Sequence, residues 1–291
     1  MIHPNIRQLV SQAPVVADGA WGTELQARGL EAGECPDAWN LSHPARVEEV
    51  ARAYVEAGSR VLLTNTFRAN RVALAGYGLA ERTVEINRAG AAISRRAAAG
   101  RARVFASIGP SGKLLAAGEI DEETLSAAFR EQARALAEGG AHALVLETMA
   151  DLAEARLAIA AAQEAGLPVV ASMVFDTGRN KDRTMTGVTP EQAATELAAA
   201  GADVVGANCG CGVAGYVEIC RRLHASTDLP IWVKANAGLP RLVDGRPVYS
   251  MTPDEFAAYA PALAEAGAAF IGGCCGTGPE FVRAVRLALC C

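Results

Sequence analysis

Three cysteines, in two Gly-rich segments, carry the most chemical information in this 291-residue chain. Cys209 follows Gly206-Ala207-Asn208, and the pair Cys274-Cys275 is flanked by Gly272-Gly273 and Gly276. Thiolates are soft ligands, and three of them meeting at one ion favour zinc. A zinc with three protein ligands keeps its fourth position for substrate. It lowers the pKa of a thiol bound there, so thiolate forms near neutral pH without a dedicated base. Three cysteinates plus a substrate sulfur leave the centre negative, which suits alkyl transfer to sulfur better than activation of water. Other readings stay open: Cys274-Cys275 as a strained vicinal disulfide, or as small buried residues beside glycine. Cys211 is an alternative ligand further into the loop, and Cys220 falls in a helical pattern and reads as core. Cys35 precedes Pro36 without an evident partner, and Cys290 and Cys291 read as frayed.

These residues have company. Asp18, Asn65, Ser107, Glu147, Asp176, Asn208 and Asn236 each stand where an apolar run gives way to polar or small residues. Glu147 leaves Leu144-Val145-Leu146, so a carboxylate emerges from a buried segment; the plainer role for it or for Asp18 is to cap the next helix. Asp18 opens the turn Asp18-Gly19-Ala20-Trp21-Gly22-Thr23, whose N–H groups precede a helix and suit an anion. An amino-acid substrate needs both features, an acid for its ammonium and N–H donors for its carboxylate. The four histidines, His3, His43, His142 and His224, fall away from these positions, so histidine-based catalysis has little support.

What must position such groups is an α/β scaffold. Eight β-like runs recur, at 15–20, 61–66, 104–109, 143–148, 169–175, 204–210, 231–238 and 270–276. Their unbroken Val, Ile, Leu and Ala content fits strands buried on both faces, as in a parallel sheet. Amphipathic segments separate them, such as Leu125, Ala128, Phe129, Gln132 and Leu136, with Asp121 as N-cap. Thr189-Pro190-Glu191-Gln192 and Thr252-Pro253-Asp254-Glu255 read as capping boxes, and Gly58, Gly139, Gly166, Gly201 and Gly267 as helix stops. Eight βα units without a linker predict a single-domain (β/α)8 TIM barrel over residues 1–291. No Gly-x-Gly-x-x-Gly follows the first strand, which removes the main support for a dinucleotide-binding sheet. In a barrel the strand ends form one catalytic rim, and strands six and eight flank strand seven, so their cysteines can meet.

Composition narrows the partners. Hydrophobic residues make up 51% of the chain, enough for a large core, and the net charge of −5 has no basic stripe, which argues against nucleic acid. No apolar run is long enough to span a bilayer, and 1–10 lacks a signal-peptide core, so a membrane partner is not expected and a cytoplasmic location is. Clustered cysteines in such a chain suggest metal or catalysis before bridges.

The segments 18–26, Thr64-Asn65-Thr66-Phe67, Gly206-Ala207-Asn208-Cys209-Gly210, 234–240 and Gly272-Gly273-Cys274-Cys275-Gly276-Thr277 together resemble the zinc-dependent homocysteine S-methyltransferases. The similarity is greatest to the homocysteine-binding barrel of cobalamin-dependent methionine synthase. It implies Zn2+ on Cys209, Cys274 and Cys275, with homocysteine sulfur as fourth ligand and Asn236 holding that position when substrate is absent. It also implies that Glu147, with Asp18 nearby, receives the homocysteine ammonium, and that the turn of Gly19, Ala20 and Thr23 receives its carboxylate. Trp21 and Arg68 depart from the usual Met and Gly, and the loop 177–185 is unusually charged; all three bear on the mouth where the methyl donor approaches. The folate, cobalamin and reactivation domains of methionine synthase have no counterpart in these 291 residues. The resemblance then implies a methylcorrinoid on a separate protein or domain, or a small donor: S-methylmethionine, S-adenosylmethionine or betaine. Another thiol acceptor, or a non-catalytic zinc or redox protein on the same barrel, are the competing readings.

Overall fold

A computed structural model describes residues 3–210, 212–243 and 246–289; Cys211, Cys290 and Cys291 lie outside the described residues. Eight parallel strands form the centre: β1 (Val15–Val16), β2 (Val61–Leu62), β3 (Arg103–Ile108), β4 (Ala143–Met149), β5 (Val169–Met173), β6 (Val204–Cys209), β7 (Ile231–Ala235) and β8 (Ala268–Gly273). Neighbours in sequence are neighbours in the sheet, and β8 pairs with β1. A parallel bridge between Ala17 and Val61 joins β1 to β2, so the sheet closes into the expected (β/α)8 barrel. A short antiparallel hairpin, Arg241–Val243 with Arg246–Val248, is inserted after β7. No helix is long and apolar enough to cross a membrane.

Side chains alternate across each strand, and the two faces differ in what they bury. The outward set, including Leu62, Val104, Leu144, Val169, Val205, Val233 and Ile271, packs under the surrounding helices. The inward set fills the barrel with Val15, Val61, Phe105, Val145, Val170, Val204, Trp232 and Phe270. Trp232 meets Phe105 and Phe270 with ring centroids 6.2 and 5.4 Å apart. Helix Pro4–Val10 adds Ile6 and Leu9 to this cluster. The cluster is therefore a solid plug, not a pore.

Helix signals behave as their chemistry requires. Asp121 caps Glu122–Glu138, accepting from Thr124 N–H at 2.7 Å, and both Thr-Pro capping boxes form. Gly58, Gly166, Gly201 and Gly267 take left-handed backbone; at the remaining stop Gly139 stays right-handed and Gly140 makes the turn.

All the strands except β4 end earlier than the apolar runs do. Around the C-terminal rim, backbone N–H groups in the last strand residues or just beyond them turn to side chains. Leu63 N–H donates to Asp18 Oδ2 (2.7 Å), Ser107 N–H to Thr64 Oγ1 (3.0 Å), Thr148 N–H to Asn208 Oδ1 (2.8 Å) and Cys275 N–H to Asn236 Oδ1 (3.0 Å). Polar residues at the run ends thus replace strand pairing with a fixed polar collar. Trp232→Ala, which empties the centre of the plug, should cost about 3–5 kcal/mol of unfolding free energy while leaving the collar's hydrogen bonds intact. Equilibrium denaturation in urea measures it.

Candidate metal and thiol-binding site

The sulfur atoms of Cys209, Cys274 and Cys275 lie within 4.8 Å of one another, with Cys209 Sγ and Cys275 Sγ 4.0 Å apart. All three are free thiols, so the vicinal disulfide does not form. Tetrahedral zinc with sulfur at about 2.3 Å needs sulfurs about 3.8 Å apart, so the donor set and its spacing fit the ion.

Local backbone explains how two non-adjacent strands deliver these atoms. Cys209 ends β6 with φ of 66°, and Thr148, one residue before the end of β4, has φ of 60°, both in the left-handed region that side chains rarely adopt. Asn208 holds the pair of bends: besides accepting from Thr148 N–H, it donates from Nδ2 to Thr148 Oγ1 (2.7 Å) and accepts from Ser172 Oγ (2.7 Å). Cys274 N–H bonds Ala235 O of β7 at 2.7 Å. Asn236 donates to Gly210 O (2.8 Å) and reaches Cys209 Sγ at 3.7 Å, so it clamps the two cysteine-bearing loops together. The Cβ that Gly273 lacks would fall 2.1 Å from Thr277 Oγ1, and Thr277 in turn accepts from Ala20 N–H through its carbonyl at 2.8 Å. The first turn of the barrel is in this way tied to the cysteine turn. Thiol donation from Cys274 and Cys275 pulls the Cys209 pKa down to about 3, while Cys275 is pushed up to about 11 chiefly by its bond to Cys209.

Beside the cysteines opens a cavity of about 310 Å³, lined by Gly19 to Thr23, Asn65, Ser107, Glu147, Lys234 and the three cysteines among others. Glu147 is buried and accepts a bond from Ser107 Oγ. Burial raises its pKa, opposed by the Lys234 ammonium and the Ser107 bond. Asp18 lies one layer deeper, fully buried. It pairs with the Lys234 ammonium and accepts from Trp21 Nε1 (2.9 Å) as well as Leu63 N–H. Gly19, Ala20 and Thr23 line the cavity; Ala20 caps helix Trp21–Ala27 without a side-chain bond, leaving first-turn N–H groups unclaimed by the helix. Thr23 also takes the Gly276 N–H on its hydroxyl at 3.2 Å. Asp176, in contrast, is absent from the cavity wall, and His142 sits at the other end of β4, bonding Val104 N–H.

Two cavity residues escaped the sequence reading. Lys234 is a fully buried ammonium whose pKa burial lowers but Asp18 and Glu147 raise more. Its signal was a lone cation inside the apolar run Ile231-Trp232-Val233-Lys234-Ala235. Asp37 is buried in the cavity wall, bonded by Arg68 N–H at 3.1 Å, and desolvation lifts its pKa to about 6. It also gives Cys35 the partner that the sequence did not reveal, at 3.9 Å.

A barrel whose C-terminal rim gathers three cysteines able to hold a metal, a buried carboxylate and helix N–H groups has the parts needed to bind and activate a thiol. The chain belongs to the homocysteine S-methyltransferase family, whose profile matches residues 15–289. It is 35% identical to methionine synthase of Mycobacterium tuberculosis and 33% to that of Mycobacterium leprae, over 98% of this chain and 25% of each relative. The chain therefore spans about a quarter of the length of these curated relatives. The metallated form of the homocysteine methyltransferase MmuM from Escherichia coli superimposes with a TM-score of 0.81 at 25% identity, covering 97% of this chain and 99% of that one.

Removing one half of a buried ion pair strands the other charge, at a cost of about 3–5 kcal/mol. Lys234→Met should lose stability of that order, and adding Asp18→Asn should restore part of it. A double-mutant cycle on unfolding free energies reads the coupling.

Proposed function

We propose that residues 1–291 act as one homocysteine-binding unit that transfers a methyl group to the homocysteine thiol, giving methionine. The observation that carries this reading is the convergence of three free thiols beside a buried carboxylate in one cavity. Cys209, Cys274 and Cys275 would hold zinc, which supplies a Lewis acid able to keep a substrate sulfur ionised near neutral pH. Asn208 and Asn236 keep the three sulfurs together through the bonds described above.

The rest of the chemistry belongs to the side chains. Glu147 receives the substrate ammonium, oriented by Ser107, and Lys234 favours its ionised form in a buried setting. Asp18 acts beneath it by holding Lys234. The N–H groups of the first turn, from Trp21 to Thr23, receive the carboxylate, the Ala20 N–H being held by Thr277 O. Anchored at both polar groups, the substrate presents its sulfur to the mouth. A sulfur lone pair then forms the new S–C bond in line as the methyl–donor bond breaks and that pair departs with the donor.

For the donor, we favour a methylcorrinoid on another protein or domain. Support comes from the relatives' greater length and from apolar side chains exposed on the loops around the mouth. Leu239 and Leu242, before and in the inserted hairpin, are 64% and 79% exposed, and Met185 and Leu114 stand exposed on the loops after β5 and β3. Exposed apolar side chains gathered on one rim suit a macromolecular contact. A small donor is favoured instead by the match to nearly the whole of a solved homocysteine methyltransferase chain. Zinc-loaded protein given homocysteine with methylcobalamin, S-methylmethionine, S-adenosylmethionine or betaine separates these by which one yields methionine. No turnover with any of them, and no new sulfur at the zinc edge on adding homocysteine, would mean a non-catalytic protein.

Cys274→Ser should lower zinc content and abolish transfer while circular dichroism stays that of a folded barrel; full zinc retention with normal turnover contradicts the ligand set. Glu147→Gln should raise the homocysteine KM by about tenfold or more, through loss of a charge-assisted bond, with a smaller effect on kcat. Steady-state kinetics in homocysteine measures both.

A further inference from the structure

The opposite end of the barrel is basic in a chain of net charge −5. Two adjoining cavities of about 270 and 420 Å³ open there and share Gln12, Arg60 and Arg101 in their walls. Arg103 completes the first, and Ser59 and Arg286 stand in the second. Neither wall contains a carboxylate, and among the described residues none of the four guanidinium groups forms an ion pair.

The arrangement is held by rigid parts. Arg60 precedes β2 and Arg103 begins β3, joined by an Arg103 N–H bond to Arg60 O at 2.9 Å. Arg286 reaches in from helix Pro279–Leu289 across Gly58. A Cβ at Gly58 would lie 2.4 Å from Arg286 Cδ, and its φ of 107° also excludes most side chains. Next to it Ser59 is 3% exposed, and its hydroxyl has no hydrogen-bond partner. A buried hydroxyl without a partner costs about 1–3 kcal/mol, and clustered like charges add to that. A ligand rich in acceptor oxygens would relieve both.

We propose that this end of the barrel binds a small molecule bearing two phosphoryl groups. Guanidinium forks match phosphate oxygens, and Arg101, common to both cavities, bridges the two groups. Ser59 donates to the one nearer Arg286. The site lies behind the aromatic plug and takes no part in methyl transfer.

Calorimetric titration of the full chain with inorganic pyrophosphate, and separately with orthophosphate, tests the proposal at about 0.15 M ionic strength, where weak surface attraction is screened. Saturable one-to-one binding is expected, with pyrophosphate at least about tenfold tighter than orthophosphate because twice as many charge-assisted bonds form. Arg60→Gln with Arg101→Gln should weaken pyrophosphate by more than about tenfold without lowering the ligand-free melting temperature. Ser59→Ala should raise the ligand-free melting temperature yet weaken pyrophosphate about fivefold, the worth of one hydrogen bond. Equal binding of both anions, unchanged affinity in either variant, or attachment only to phosphatidylglycerol vesicles would overturn the proposal. Neither zinc nor turnover enters these readouts, so they stand apart from the assignment at the other rim.

Discussion

Three sulfur atoms within 4.8 Å of one another are the constraint around which the catalytic end is organised. Thiols gain little from such crowding, so the surrounding backbone must impose it. Closure of the barrel places β6 and β8 on either side of β7, and β7 then serves as the template for both. The left-handed bend at Cys209 costs about 1–2 kcal/mol for a non-glycine residue. Asn208 and Asn236, each with several bonds to neighbouring loops, hold the backbone where that bend is tolerated. Strain of this sort persists only where its surroundings over-determine it, and here they do.

The barrel interior also changes character along its axis. Inward positions begin as Phe105, Val145, Val204 and Trp232 and continue as Ser107, Glu147, Asn208 and Lys234. Three of these strands advance two residues from plug to site and β6, with Gly206 between, advances four, so stability and chemistry are carried by successive inward positions of the same strands. The buried Asp18–Lys234 pair sits at this boundary, where a lone charge of either sign would be severely penalised.

Much of this was legible in the sequence. Unbroken apolar runs gave the eight strands, and the Thr-Pro boxes gave two helix starts, because both signals depend on local chemistry. The cysteine set was legible since thiols rarely cluster by accident at strand ends. Some strand limits were not: after β2 and β8 the runs continue into Leu63 and Cys275, whose N–H groups are taken by Asp18 and Asn236, partners distant in sequence. Remoteness also concealed the roles of Lys234 and Asp37: the cation's partner Asp18 lies 216 residues away, and the acid after proline is bonded by Arg68 N–H from the loop after β2. Asp18 looked like a substrate contact from its turn, and its three donors show how completely the protein itself occupies it.

The plug of Trp232, Phe105 and Phe270, sealed below by Ile6 and Leu9, makes the cavity a blind well. For the reaction proposed above, an acceptor held at Glu147 would lie beneath the mouth, and whatever brings the methyl group would come to rest above it. Traffic would then be last-in, first-out: the acceptor enters before the donor, and the spent donor leaves before the methylated product. A compulsory order of addition and release is what a well closed at one end imposes on that reaction.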